Sequence, residues 1–132
     1  MTAAPESGED QSNVEGKVDA VVFLSGDLMF ASRVRAAAEA SDLEFHFGGA
    51  VPDIKSEIAW VIVDLATRSG AVDDLADTCR EKCPDAKLIA FGPHVHVARL
   101  EKARAAGIPT VLTRGQFDRA LASLFSSDAL SE

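Results

Sequence analysis

The sequence is short of basic residues and of long hydrophobic runs, and each shortage excludes a class of protein. Its 132 residues include 13 lysines and arginines against 21 aspartates and glutamates, which gives a net charge of −8. Binding to a nucleic-acid backbone is disfavoured, because it requires a basic surface. No apolar run is long enough to cross a membrane, and the N-terminus lacks the basic-then-apolar pattern of a signal peptide. We therefore expect neither a nucleic-acid nor a membrane partner.

Cysteine is also scarce. Cys79 and Cys83 are the only two in the chain, too few for a disulfide scaffold. They lie four apart in a helical pattern, which predicts two thiols on one helix face in a reducing cytoplasm. The sequence also lacks a G-x-G-x-x-G or Walker pattern, so no phosphate-binding loop of those types is expected.

Composition divides the chain into three parts. Residues 1–16 carry four acidic side chains and no lysine or arginine, and after Met1 the only apolar side chain larger than alanine, proline aside, is Val14. So little apolar surface predicts a disordered acidic tail.

Residues 17–126 are expected to form one domain, since 47% of the chain is hydrophobic and can supply a core. Residues 127–132 are expected to be a frayed C-terminus.

Strand and helix patterns alternate through the predicted domain. Strands are predicted at residues 18–24, 43–47, 60–65, 87–91 and 110–113, and helices at 28–41, 52–57, 71–82, 95–106 and 117–125. Met29 and Val97 are among the helical residues expected to point inward. Five such units predict an α/β fold with a flavodoxin-like, doubly wound, five-stranded parallel sheet in the order 2-1-3-4-5.

Ligands of such sheets bind beyond the carboxyl ends of the strands. Asp64 closes an apolar strand there, and two interpretations stay open. It is either a structural group, as a helix cap or an ion-pair partner of Arg114, or a functional carboxylate. Other polar or turn residues fall at the same edge: Ser25, Gly26, Asp27, Ala66, Thr67, Gly92, His94 and Thr113.

Over about residues 18–125 the chain resembles the receiver domain of two-component response regulators. Asp64 in WVIVDL matches the phospho-acceptor aspartate of that family, and Asp27 in LSGDLMF matches the second acid of its Mg²⁺-binding pair. The segment LEKARAAGIPTVLTRGQF resembles the fourth helix and fifth strand, and it places Arg114 at the position of the family's lysine.

Several positions depart from the receiver pattern. Gly26 replaces the first acid, Gly92 replaces the hydroxyl residue after the fourth strand, and Gly115 replaces the proline after the lysine position. The resemblance therefore implies at most a weak Mg²⁺ site at Asp27 and Asp64, since Mg²⁺ needs several oxygen ligands. It also places Gly92 and Arg114 at the family's switch positions: Gly92 lacks the hydroxyl, and Arg114 could supply the positive charge of the lysine, although its planar guanidinium does not replace a compact ammonium group.

The resulting hypothesis is a stand-alone, non-enzymatic pseudo-receiver of bacterial signalling, cytoplasmic, acting by protein–protein interaction without phosphorylation. Its partner would be a histidine kinase or another signalling protein, and its fourth and fifth helices would form a homodimer surface. Two alternatives stay open: a phosphorelay intermediate using Asp64 with Mg²⁺, and a flavodoxin-like module for a small anion. His94 and His96 form an H-x-H pair without an evident third metal ligand, so their role stays open.

Overall fold

The protein is described by a computed structural model that covers residues 19–126. The predictions for the tail at 1–16 and the terminus at 127–132 lie outside these residues. The elements follow one another as β1 (Asp19–Leu24), α1 (Leu28–Ala40), β2 (Glu44–Gly48), β3 (Glu57–Asp64), α2 (Leu65–Arg68), a 3₁₀ turn (Ser69–Ala71), α3 (Val72–Lys82), β4 (Lys87–Gly92), α4 (Val97–Ala105), β5 (Thr110–Thr113) and α5 (Arg114–Leu124).

The five strands form one parallel sheet in the order β2-β1-β3-β4-β5. This arrangement confirms the predicted flavodoxin-like order. Because all strands run the same way, their last residues share one edge of the sheet. We call that edge, with the loops that follow each strand, the carboxyl edge.

Helices cover both faces of the sheet and create two different layers. In the first, which we call the aromatic layer, α1 and α5 pack with Trp60 and most of the phenylalanines, and the Phe91 and Phe117 rings stack with centroids 4.3 Å apart. In the second, the aliphatic layer, α3 and α4 pack against the opposite face with valine, leucine, isoleucine, alanine and the two cysteines. The central strands are therefore apolar on both sides, which explains their continuous hydrophobic runs.

Cys79 and Cys83 lie in the aliphatic layer, and both are buried free thiols. Burial raises the pKa of Cys79 to about 12 and also raises the pKa of Cys83. The prediction of two thiols on one helix face is confirmed for Cys79 only, because α3 ends at Lys82 and Cys83 is the residue that follows it. Thiols held in their protonated form are poor nucleophiles, so this pair is structural.

The short helix expected at 52–57 is wrong. Residues 51–56 are irregular, and β3 already begins at Glu57, three residues earlier than expected. Six residues can form very few helical hydrogen bonds, so they do not offset the cost of helix nucleation. An irregular path instead buries Val51, which is 6% exposed, against the aliphatic layer.

Two side chains expected in the core lie in solvent. Met29 is 84% exposed and Val97 is 60% exposed. Each lies in the first turn of its helix, immediately after the loop at the carboxyl edge. Helical periodicity finds the inward face of a helix but not where the sheet beneath it ends, and this explains both errors.

Candidate functional site

Asp64 ends β3 and is 1% exposed. Its Oδ1 accepts a hydrogen bond from the backbone N–H of Ala66 at 3.0 Å, so the carboxylate caps the short helix α2. Its Oδ2 accepts from the hydroxyl of Ser25 at 2.8 Å and from that of Thr67 at 3.0 Å. Both oxygens therefore have internal donors, and the helix-cap interpretation of Asp64 is confirmed.

The two hydroxyl residues join the loop after β1 to α2, the short helix that follows β3 directly. The Ser25 hydroxyl accepts from the backbone N–H of Asp27 at 2.9 Å. The Thr67 hydroxyl accepts from the backbone N–H of Gly26 at 2.9 Å. We call Ser25, Asp64 and Thr67 the hydroxyl cluster; it is a closed hydrogen-bond network that leaves neither oxygen of the carboxylate without a protein donor.

Asp27 lies outside this cluster and caps α1. Its Oδ1 accepts from the backbone N–H of Phe30 at 3.0 Å, and its Oδ2 lies 3.5 Å from Nη2 of Arg114. The Phe30 N–H and, to a smaller extent, the Arg114 charge lower the pKa of Asp27 below its ordinary value of 3.8. The expected ion pair of Arg114 with Asp64 is wrong, because Arg114 is the first residue of α5 and its guanidinium lies beside Asp27 at the α1 cap.

Close packing explains why glycine occupies position 92, the last residue of β4. Gly92 is buried, and a Cβ there would lie 3.2 Å from Cβ of Leu65, the first residue of α2. A hydroxyl side chain would therefore have to displace the start of that helix. At Gly26, a Cβ would meet the Thr67 side chain at 3.5 Å and Nη1 of Arg68 at 3.7 Å.

Arg68 and Arg99 are site residues that the sequence did not reveal. The Arg68 guanidinium lies against Gly26 and Gly49, and its Nε is buried with no hydrogen-bond partner in the described part of the chain. Nη1 of Arg99 donates to the carbonyl oxygens of Leu65 at 3.3 Å and Ala66 at 3.5 Å. Both side chains extend from helices towards the carboxyl edge, and no short sequence motif predicts the direction of a long side chain.

Neither His46 nor His96 is a hydrogen-bond partner of Asp27 or Asp64. His96 begins α4, with its Nδ1 3.5 Å from Nη1 of Arg99. His46 pairs with Glu44 on β2, and Ser56 also donates to Glu44. Residues 19–126 contain no group of three potential metal-ligating side chains.

The receiver family would place Mg²⁺ at Asp27 and Asp64. Their four carboxylate oxygens accept from two helix N-termini and two hydroxyls, or face a guanidinium. A hard cation needs several oxygens that converge on one point and are free to coordinate. It would here have to displace Arg114 and both caps, so this donor set suits Mg²⁺ poorly.

No family model and no curated protein matches the sequence. Among solved structures, a response regulator from Thermotoga maritima is 15% identical, with a TM-score of 0.55 over 81% of this chain and 98% of that one. A response regulator protein from Burkholderia pseudomallei, solved with a phosphorylated aspartic acid, calcium ion and citrate, is 15% identical, with a TM-score of 0.56 over 88% and 75%.

A third similar structure is the pilus assembly protein CpaE from Caulobacter crescentus. It is 17% identical, with a TM-score of 0.52 over 82% of this chain and 93% of that one. These likenesses show a receiver-like fold. Within the described residues, no helix has the length and apolar character to cross a membrane.

Proposed function

We propose that this chain is a receiver-like domain that acts in bacterial signalling by binding another protein, without catalysis and without phosphorylation of Asp64. The observation that carries the proposal is the hydroxyl cluster. The carboxylate that matches a phospho-acceptor is buried and already accepts three internal hydrogen bonds.

Phosphoryl transfer depends on an accessible nucleophile and on positive charge placed at the phosphoryl oxygens. Asp64 is 1% exposed, so an incoming phosphoryl group would have to open the cluster first. Arg114, at the position of the family's lysine, is paired with Asp27 instead. An acid introduced at position 26 would meet Arg68, since that guanidinium already lies beside the glycine.

A protein partner accounts for a receiver-like fold that lacks the usual chemistry. Fold alone does not determine function, and the similar structures carry the descriptions of response regulators and of a pilus assembly protein. A histidine kinase or another signalling protein is the proposed partner class, and the surface of α4, β5 and α5 is the proposed homodimer contact.

The test treats the full chain with acetyl phosphate and Mg²⁺, and measures its intact mass over time. The expected result is no stable phosphoryl adduct, with a conventional receiver treated in parallel as the control for the reagents. Amide NMR during a beryllofluoride titration with Mg²⁺ should likewise show no saturable shifts around Asp64.

Two other outcomes would support the alternatives. A phosphoryl group on Asp64 within minutes would make the chain a phosphorelay intermediate. Saturable amide shifts with inorganic phosphate in the absence of Mg²⁺ would instead favour the small-anion module.

A further inference from the structure

The exposed large hydrophobic side chains of residues 19–126 are all located at the carboxyl edge. They are Leu28 at 72%, Met29 at 84%, Val95 at 68% and Val97 at 60% exposure. Single exposed apolar residues are ordinary, but all four lie at one edge of the sheet, in two pairs. We call these four residues the apolar rim.

The rim flanks the end of β3 on both sides. Leu28 and Met29 follow β1 and begin α1 in the aromatic layer, whereas Val95 and Val97 follow β4 and begin α4 in the aliphatic layer. β1 and β4 are the two neighbours of β3. Each helix layer packs about 10 Å from the sheet. The two halves of the rim lie on opposite faces, so they are separated by about 20 Å.

Between the two halves the surface is cationic, although the whole chain carries a net charge of −8. Arg99 and Arg68 have no carboxylate partner among residues 19–126, and Arg114 is held by Asp27. Of the other acids near this edge, Asp64 is buried and Asp73 pairs with Lys102. Asp74 lines a separate cavity with Gly49 and Ala50.

We propose that the carboxyl edge binds an acidic amphipathic helix of a partner protein, which crosses the end of β3 between the two halves of the apolar rim. This inference rests on the proposed function and names the surface and the partner class. An 18-residue helix is about 27 Å long, enough to span the rim. Apolar residues on one side would cover the rim, and flanking carboxylates would pair with Arg99 and Arg68.

The surface differs from the proposed homodimer contact. That contact uses the sides of α4, β5 and α5, whereas the rim uses the loops and first turns that follow β1 and β4. The hydroxyl cluster that would lie beneath the partner's helix is already closed by internal hydrogen bonds, so the proposed binding does not require phosphorylation.

The test uses a synthetic helical peptide of about 18 residues with a leucine stripe and glutamate elsewhere. Its two controls are the same peptide with lysine in place of glutamate, and a glutamate–leucine peptide of identical composition without the stripe. Each is titrated into the isotope-labelled full chain and followed by amide NMR. Only the acidic striped peptide should shift residues 26–29, 66–68 and 94–99, and added salt should weaken it.

Variants separate the two contributions. Met29→Ser should weaken binding about tenfold, because most of a large apolar side chain loses its contact. Arg99→Gln should weaken it about threefold through loss of a surface ion pair. Arg80→Gln is the matched control, since Arg80 is exposed on α3 and pairs with Asp77; it should leave affinity unchanged.

Three outcomes would overturn the proposal. One is no saturable binding of the acidic striped peptide, and another is equal binding of the lysine peptide. The third is concentration-dependent self-association with shifts confined to the rim, which would make a second copy the occupant. None of these readouts involves phosphate, so they are independent of the phosphorylation test. Unchanged circular dichroism melting of each variant would show that altered binding is not unfolding.

Discussion

Two carboxylates at the carboxyl edge both cap helices, yet their surroundings differ. Asp64 is 1% exposed and has three donors, two of them hydroxyls from other parts of the site. The side chain of Asp27 is 28% exposed and has one backbone donor and one guanidinium at 3.5 Å. The first carboxylate joins the loop after β1 to α2, whereas the second stabilises the start of one helix.

The comparison shows that the carboxylate at the end of β3 has a structural role, as the cap of α2 and as an acceptor for two hydroxyls. A buried carboxylate is stable only if donors replace its lost hydration, and Ser25 and Thr67 supply those donors. Under the proposed function, the same hydrogen bonds would oppose phosphorylation of Asp64. Replacement of each carboxylate should therefore affect stability very differently.

The largest effect is expected for Asp64→Ala. It removes the α2 cap and leaves the buried Ser25 hydroxyl without its acceptor, at a cost of about 2–4 kcal/mol. For a domain of this size the melting temperature should fall by about 10 °C, measured by thermal circular dichroism.

Asp64→Asn is the matched control, because its side-chain oxygen can still accept from the Ala66 N–H. Its amide can donate to the hydroxyls instead of accepting from them, so a smaller loss is expected. Equal losses for alanine and asparagine would contradict a role based on hydrogen bonding.

An intermediate effect is expected for Gly92→Ser, which restores the receiver-type hydroxyl beside Asp64. The new Cβ would lie 3.2 Å from Leu65, and overpacking of this kind costs about 1–3 kcal/mol. Chemical denaturation should show a lower midpoint. Gly48→Ser is the control at the end of β2, since a Cβ there meets nothing within 4 Å; an equal loss at both glycines would show that space is not the cause.

The sheet could be predicted because continuous apolar runs in the sequence are typical of strands that are buried on both faces. Residues 87–91 and 110–113 fall within or on the bounds of β4 and β5, and the cap at Asp64 follows from its place after an apolar strand. These features depend on local pattern, which a single sequence contains.

The site contacts were harder to predict because they depend on the directions of long side chains. Arg114 was expected beside Asp64, but it reaches Asp27 across the end of the sheet. Arg68 and Arg99 belong to the edge only because each side chain folds back over a neighbouring loop. The exposure of Met29 and Val97 depends on where the strands end beneath them, which periodicity does not contain.

The smallest effect is expected for Asp27→Asn, since asparagine caps helices about as well as aspartate. Near neutral pH the variant should lose less than about 1 kcal/mol, from its weakened interaction with Arg114. The difference from the unmodified protein should depend on pH. Because the folded-state pKa of Asp27 lies below 3.8, its charge contributes stability fully above that value. That contribution is lost as the pH falls through the folded-state pKa.

Urea denaturation of both proteins, from neutral pH to well below pH 3.8, should therefore show their stabilities converging in acid. Glu44, whose pKa is also lowered by Ser56 and His46, titrates in both proteins and cancels in the difference. Arg114→Gln should reduce the pH-dependent difference only in part, because the Phe30 N–H is the larger cause of the shift. A difference that stays constant in acid would mean that the charge of Asp27 contributes nothing to stability.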